Sequence, residues 1–348
     1  MEPAIRVLMI TTGWPQPGQP QTTHFIKRQA EFLRAHGVEV EVFYFRGFRN
    51  PMAYLRAWIE VQRRLRRRRY DLVHAQWGQS AMPAMPKRLP LVVTFRGGDV
   101  HGIPDGKGGQ RLAGHLLQAF CRYVARRADA IIIVSDHMRS LLGRHDTPVH
   151  VFPSGIDFSL FRVIPRDEAR RHLGLPADKR LILFAGNPAS TRKRHGLAQA
   201  AVDVLSRTLP AELVVTWGVS HDDMPYYMNA CDAMVFTSNQ EGSPNVVKEA
   251  LACDLPVVSV QVGDVATRLA GVANCEVVAD DAPETIAAAL ERVLRKGERS
   301  TGRHAVRELD ENVIARGVIG VYREVLGRGR AAEPAGGAGV DTAGRPGS

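Results

Sequence analysis

The strongest constraint on this chain is an alternation sustained from end to end, in which short β-branched apolar runs are separated by stretches of helical period. IRVLMITT (5–12), VEVEVFYF (38–45), DLVHAQ (71–76), LPLVVTFR (89–96), ADAIIIVS (128–135) and VHVFPS (149–154) read as strands. Between them lie helical stretches such as FIKRQAEFLRAHG (25–37), which Gly37 closes as a C-cap. Strand, helix, strand in this order predicts a parallel sheet covered on both faces. After the turn-rich SGIDFSLFRVIPRDE a second series follows: RLILFAGN (180–187), AELVVTWG (211–218), DAMVFTSN (232–239), LPVVSVQ (255–261) and CEVVAD (275–280). A chain of 348 residues is long for one core, so two α/β domains are expected, over 1–155 and 169–310, joined by a linker at 156–168. From 331 to 348 the composition turns to Gly, Ala and Pro without a core-forming pattern, and a disordered tail is expected. Ligands of such open sheets bind at the carboxyl ends of the strands, which singles out the loops after Thr12, Arg96, Gly186 and Asn239.

No run reaches the roughly 18 apolar residues of a membrane span, and the chain enters its first strand with no signal-peptide layout, so a cytoplasmic protein is expected. Cys121, Cys231, Cys253 and Cys275 are far apart and read as reduced, buried thiols. The net charge of +10 is lopsided: residues 1–160 hold 23 Lys and Arg against 12 Asp and Glu, and the remainder is nearly balanced. Its densest part, RRLRRRRYD, reads either as a solvated helix end or as a surface for anionic lipid or an acidic substrate. Nucleic acid is disfavoured, because no aromatic residues interleave with the basic run and no zinc-finger spacing occurs. HDTPVH (145–150) has no zinc-ligand spacing, and no metal site is assigned. The absence of GxxxxGK[ST], and of GxGxxG after the first strand, argues against an ATPase and an NAD enzyme.

EGSPNVVKEALACDLP (241–256) carries the most chemistry. Its apolar residues form a helical stripe, and Ser243 before Pro244 reads as an N-cap followed by a first-turn proline. The helix N-terminus then offers the amides of Asn245 and Val246 to a phosphate or a sugar hydroxyl. Glu249, on the second turn, has the reach to accept both hydroxyls of a ribose, and Glu241 one of a second sugar; the bland alternative makes Glu249 a surface helix residue.

Glu241, seven intervening residues and Glu249, followed by ALACDLPVV and the Gly263-Asp264-Val265 turn, resemble the donor-binding signature of retaining family 4 glycosyltransferases. FIKRQAEFLRAHGVEV, DLVHAQWG, PSGIDFSLF and LILFAGNPASTRKRHGLAQAA resemble further segments of that family in the same order. The resemblance implies a GT-B fold: α/β, two Rossmann-like doubly wound domains facing each other across a cleft, with the acceptor on the first, the donor on the second, and a last helix (311–328) crossing back. It implies that Lys193, assisted by Arg192 or Arg194, faces the donor diphosphate, where cations neutralise charge that grows as the diphosphate leaves. Asn187 stands where the family has an arginine, and Arg96 in TFRGGDV where it has a histidine. An arginine cannot act as a base, but it can bind a sugar hydroxyl or add positive charge. Asp99 of the same motif is either acceptor-side or a turn residue. In the first loop, Gly13 is expected to approach the donor phosphate closely, and His24 to face the acceptor or to cap a helix.

These readings lead to a retaining hexosyltransferase that moves a sugar from a nucleotide-sugar donor to a glycan, glycolipid or lipid-linked acceptor of cell-surface polysaccharide synthesis. Lys193, Glu241 and Arg96 are the expected catalytic residues; Gly13, Arg192, Ser243, Asn245, Val246 and Glu249 are expected to bind the donor, with no metal or cofactor. The expected location is the cytoplasm, with attachment at the inner face of an anionic membrane. The alternatives are a sugar-nucleotide epimerase or hydrolase on the same fold, and a non-catalytic basic protein that binds membrane or nucleic acid.

Overall fold

The structure is a computed structural model that describes residues 4–16, 23–47, 50–67, 70–102 and 111–332. Each apolar run read as a strand contains one. The first six are β1 (Arg6–Thr11), β2 (Glu39–Tyr44), β3 (Leu72–Gln76), β4 (Leu91–Phe95), β5 (Ala130–Ile133) and β6 (Val149–Val151), and they form one parallel sheet in the order β2-β1-β3-β4-β5-β6. The second sheet, also parallel, contains β7 (Arg180–Phe184), β8 (Ala211–Val215), β9 (Ala233–Phe236), β10 (Val257–Ser259) and β11 (Glu276–Val277), in the order β11-β10-β9-β7-β8. The strand order reverses between β1 and β3 and again between β7 and β9, and such switch points open crevices at the strand carboxyl ends.

Alternation along β1 shows how the first sheet is buried on both faces. Val7 and Met9 pack on one side, with the helices His24–Ala35 and Glu311–Ala332. Leu8 and Ile10 pack on the other, with the helices Pro51–Arg66 and Leu112–Arg127 and the 3₁₀ segment Gly78–Ala84. The last helix packs on the first domain, where Ile314, Val318 and Tyr322 are buried against β1 and β3. Fully burying such side chains contributes roughly 1.5–3 kcal/mol each. The Tyr322 hydroxyl also meets His74 Nδ1 at 2.6 Å, and His74 Nε2 meets Thr94 Oγ1 at 2.7 Å. Two chain crossings join the domains side by side, as the Ile156 amide donates to Leu309 O and the Glu311 amide to Ile156 O.

Three expectations change. The stretch 156–168 is packed structure: Ile156 and Phe161 are buried in the second core, and the helix Arg166–Leu173 begins inside it. Ser243 is not a helix cap; the helix is Asn245–Ala252, Pro244 holds the cap position with extended backbone, and no side chain caps it. The final helix continues to Ala332, two residues into the expected tail, whereas 333–348 lie outside the described residues.

Candidate active site

Loops at the strand carboxyl ends of the two domains meet. A Cβ on Gly97, whose φ is +112°, would lie 3.2 Å from the Gly242 nitrogen, and one on Gly242 would lie 3.0 Å from Arg96 O. A side chain on either would crowd the facing backbone, and at Gly97 the positive φ adds strain, so the two glycines let the loop after β4 seat closely against the loop after β9.

Beside it, the loop after β7 carries Lys193 to Glu241. Lys193 Nζ donates to Glu241 Oε1 at 2.8 Å and sits 5.1 Å above the Phe236 ring. Arg192 Nη1 reaches the same oxygen at 2.5 Å and also donates to Gln240 O. Burial pulls the Lys193 ammonium below its ordinary pKa, against the opposing pull of Glu241. Arg192 remains substantially exposed, whereas Arg194 is bound to Thr237 O and Asp281 and is spent on its own domain. Asn187 is spent too, since its side chain accepts the Ala189 amide and closes a turn. The two cations that stand together at Glu241 are therefore Lys193 and Arg192.

Asn245 and Val246 occupy the first turn of the helix after Glu241, where amides have no intrahelical acceptor. Ser238 Oγ, Ser243 Oγ and Asn245 Oδ1 are buried without a hydrogen-bond partner. Orphaned polar atoms cost free energy, and several around one helix start suit a hydroxyl-rich ligand. Ser243 thus stays in the site as an orphan hydroxyl.

Glu249 is buried, not on the surface, and its Oε1 lies 3.6 Å from Arg28 Nη2 of the first domain. Arg28 also approaches Glu311 at 3.5 Å and donates to Gly155 O at 2.7 Å, so one guanidinium ties the first helix to the helix Asn245–Ala252 and to both crossings. Next to Glu249, Lys248 is 1% exposed and donates to Ser154 O at 3.0 Å. Burial lowers its pKa to about 7. The expected one-sided stripe is thus wrong for this helix, which is buried from Val247 through Ala252 because the first domain and crossings cover what would be its solvent face.

On the first domain Arg96 is engaged on every side. Its Nη1 donates to Ser154 Oγ at 2.7 Å, its Nη2 to Gln76 Oε1 at 2.6 Å and Gln29 Oε1 at 3.1 Å, and it lies 4.7 Å over the Phe25 ring. Burial lowers its pKa to about 10, so it remains a cation. Asp99 turns away from any acceptor: its carboxylate accepts the amides of Gly78, Arg96 and Gly97. It is the turn residue that shapes the loop carrying Arg96. Gly13 does not present a free amide, because Thr11 Oγ1 accepts it at 3.2 Å; its missing side chain makes room for Thr23 and Trp77, which a Cβ would strike at 2.6 and 2.7 Å. His24 stacks on His221 of the second domain with ring centroids 4.3 Å apart, and burial, together with His221, Lys27 and Arg28, lowers its pKa to about 4. A hollow of about 400 Å³ opens there, with Arg28, Asp157 and Asp222 among its lining residues. A larger hollow of about 990 Å³ lies behind the crossings, lined by Phe158, Arg303 and Arg316, and contains none of the residues above, so size does not mark this site.

Sequence reading missed Arg28, Lys248, Ser154, Gln76 and His221. The signal for Lys248 was present: in NVVKEALA, a helix this short and apolar leaves little face for two adjacent charges. Arg28 carried no such mark.

Known proteins place this geometry. The profile described as Glycosyltransferase Family 4 matches residues 4–160, and that described as Glycosyl transferases group 1 matches residues 176–296. TuaC of Bacillus subtilis, named for teichuronic acid biosynthesis, is 30% identical over 57% of this chain and 54% of its own length. The D-inositol 3-phosphate glycosyltransferase 1 of Catenulispora acidiphila is 28% identical over 75% of this chain and 74% of its own. Among solved structures, sucrose-phosphate synthase from Thermosynechococcus elongatus superposes with a TM-score of 0.75 at 17% identity, covering 93% of this chain and all of that one. HepE of Anabaena in complex with UDP gives 0.67 at 19% identity, covering 92% and 100%. These structures share the GT-B fold of two facing Rossmann-like domains. Matched in both halves, with the paired glutamates and Lys193 at the strand ends, the chain belongs to glycosyltransferase family 4.

Proposed function

We propose that this enzyme transfers a hexose, with retention at the anomeric carbon, from a nucleotide-sugar donor to a glycan, glycolipid or lipid-linked acceptor of cell-surface polysaccharide synthesis. The observation that carries the reading is the group formed by Lys193, Arg192 and Glu241 beside the helix start at Asn245. Two cations and two open amides make a seat for a diphosphate, and the orphan oxygens of Ser238, Ser243 and Asn245 suit a sugar. HepE, a structural neighbour, is solved with UDP-glucose, which supports a nucleotide-sugar donor here.

In this mechanism the acceptor oxygen bonds to the anomeric carbon on the face from which the diphosphate leaves. The bond from that carbon to the diphosphate oxygen breaks, and that oxygen takes the acceptor's proton. Lys193 and Arg192 stabilise the departing charge in a site of low dielectric constant. Glu241 positions a sugar hydroxyl, and binding the donor loosens its hold on the two cations. Glu249 accepts the ribose hydroxyls. Arg96 adds a fixed positive charge from the acceptor side, and the residues above need no metal for these steps. The reaction takes place at the inner face of a membrane, with the chain itself in the cytoplasm; among the described residues no helix is long and apolar enough to cross a membrane.

A thermal-shift panel of UDP, GDP, ADP and dTDP sugars tests the donor, since a ligand at 100 times its Kd adds about 2.7 kcal/mol of stability. One base should stand out, and the transfer product should keep the donor's anomeric configuration by NMR. An inverted product, or turnover of the donor without acceptor at the full rate, overturns the reading in favour of another mechanism or of an epimerase or hydrolase.

A further inference from the structure

Most of the large apolar side chains left exposed among the described residues lie on a single layer of the first domain. Met52 (55% exposed), Leu55 (48%) and Ile59 (54%) share one stripe of the helix Pro51–Arg66. Leu112 (76%) and Leu116 (65%) form a stripe on Leu112–Arg127. Both helices pack on the segment Gly78–Ala84, and Met82 of that segment is exposed between them. Single exposed apolar residues are ordinary, but two aligned stripes on neighbouring helices mark an interaction surface.

Charge runs along the same two helices. The first ends in Arg63, Arg64, Arg66 and Arg67, and of these only Arg64 is ion-paired among the described residues. The second ends in Arg126 and Arg127 and holds no acidic residue. Direction matters as well. In a parallel sheet, a helix that follows a strand begins at that strand's carboxyl end; here Tyr54 packs edge-on against Phe45, just beyond β2. The apolar half of each helix is therefore on the side of the cleft, and the arginines are farther from it.

We infer that this layer docks on an anionic lipid bilayer, with Met52, Leu55, Ile59, Leu112 and Leu116 entering the interface beside the cleft mouth and the arginines meeting headgroup charge behind them. The inference rests on the proposed lipid-linked acceptor, whose sugar-bearing end it would deliver to the cleft. A second copy is a poor occupant, because a two-fold contact would bring two arginine-rich layers together, and the one carboxylate on these helices, Glu60, is already held by Arg64. Nucleic acid satisfies the arginines but offers nothing to the aliphatic stripes. A bilayer with anionic headgroups satisfies both.

The test is cosedimentation of the full chain with vesicles of phosphatidylcholine alone or mixed with phosphatidylglycerol. Binding should require phosphatidylglycerol and weaken with salt. The double variant Ile59→Glu with Leu116→Glu should bind at least about tenfold more weakly, as removing two inserted side chains implies. Both positions are exposed, so the nucleotide-sugar thermal shift of the variant should match that of the parent. Equal binding to neutral vesicles, no binding at all, unchanged binding by the variant, or a dimer that the variant dissolves would each overturn the inference. A parent that binds vesicles but shifts with no nucleotide sugar would instead sink the proposed function and leave the docking surface standing.

Discussion

The charged groups on the two walls of the cleft are held on opposite principles. On the second domain, polar groups are held loosely or left waiting: Lys193 and Arg192 share one oxygen of Glu241, and three buried oxygens near the helix start have no partner. On the first, Arg96 and Asp99 are fully engaged by Gln76, Gln29, Ser154 and backbone amides. A wall with unspent hydrogen-bonding capacity recognises a ligand by completing itself, whereas a saturated wall acts through shape and fixed charge. On the proposed function the donor belongs to the second domain, and substitutions on the two walls should then fail in different ways.

The largest effect is expected at Lys193. Lys193→Ala removes the buried cation of the pair and should lower kcat by about 10²–10³-fold, the usual cost of losing one preorganised transition-state contact, while the fold persists. Steady-state kinetics with a fixed acceptor checks this, and an unchanged kcat would break the distinction between the walls. Glu249→Ala comes next. Losing a bidentate grip on ribose should raise the donor KM by about tenfold or more with a smaller change in kcat, because the contact is made equally in ground and transition states. An effect on kcat alone would show that Glu249 acts only through Arg28.

The same contrast explains what was legible in the sequence. The strands could be read because apolar side chains facing both ways along β1 leave a run of Val, Leu, Met and Ile that nothing else in a soluble chain requires. Glu241 and Glu249 could be read because their spacing is fixed inside one short segment. The saturated wall could not, since its bonds join residues far apart in the chain: Lys248 and Ser154 are 94 positions apart, Arg28 and Gly155 are 127, and His74 and Tyr322 are 248. Arg28 looks like any helix-surface arginine until the second domain is placed against it. Ser243 misled for a local reason, because a serine before a proline imitates a cap when the chain turns one residue later.

Asp99 tests the saturated wall. It is nearly fully buried and holds three backbone amides, and burial raises its pKa against the lowering effect of those bonds. Asp99→Ala strands those donors and should cost roughly 1–3 kcal/mol of stability, seen as a lower midpoint in urea. Activity at a temperature where the variant is folded should fall through displacement of Arg96 and leave the donor KM near the parental value. A raised donor KM with unchanged stability would instead make Asp99 a binding residue and erase the contrast.

The smallest effect concerns the seam where the walls meet. His24 and His221 are stacked across it, flanked by Lys27, Arg28, Asp157 and Asp222. Burial, reinforced by the neighbouring His221, Lys27 and Arg28, moves the His24 pKa from 6.5 to about 4. The unfolded chain therefore binds the proton more readily than the folded one between those values. Stability from this group is complete above about pH 6.5, is lost as pH falls toward 4, and changes no further below that. His24→Phe keeps a ring in the stack but cannot titrate, so its urea midpoint should depend less steeply on pH within this window and follow the parent's slope outside it. If the two slopes coincide throughout, protons do not loosen the seam at His24, and the interdomain contact is held by Arg28, Lys248, the glycine pair and the two crossings.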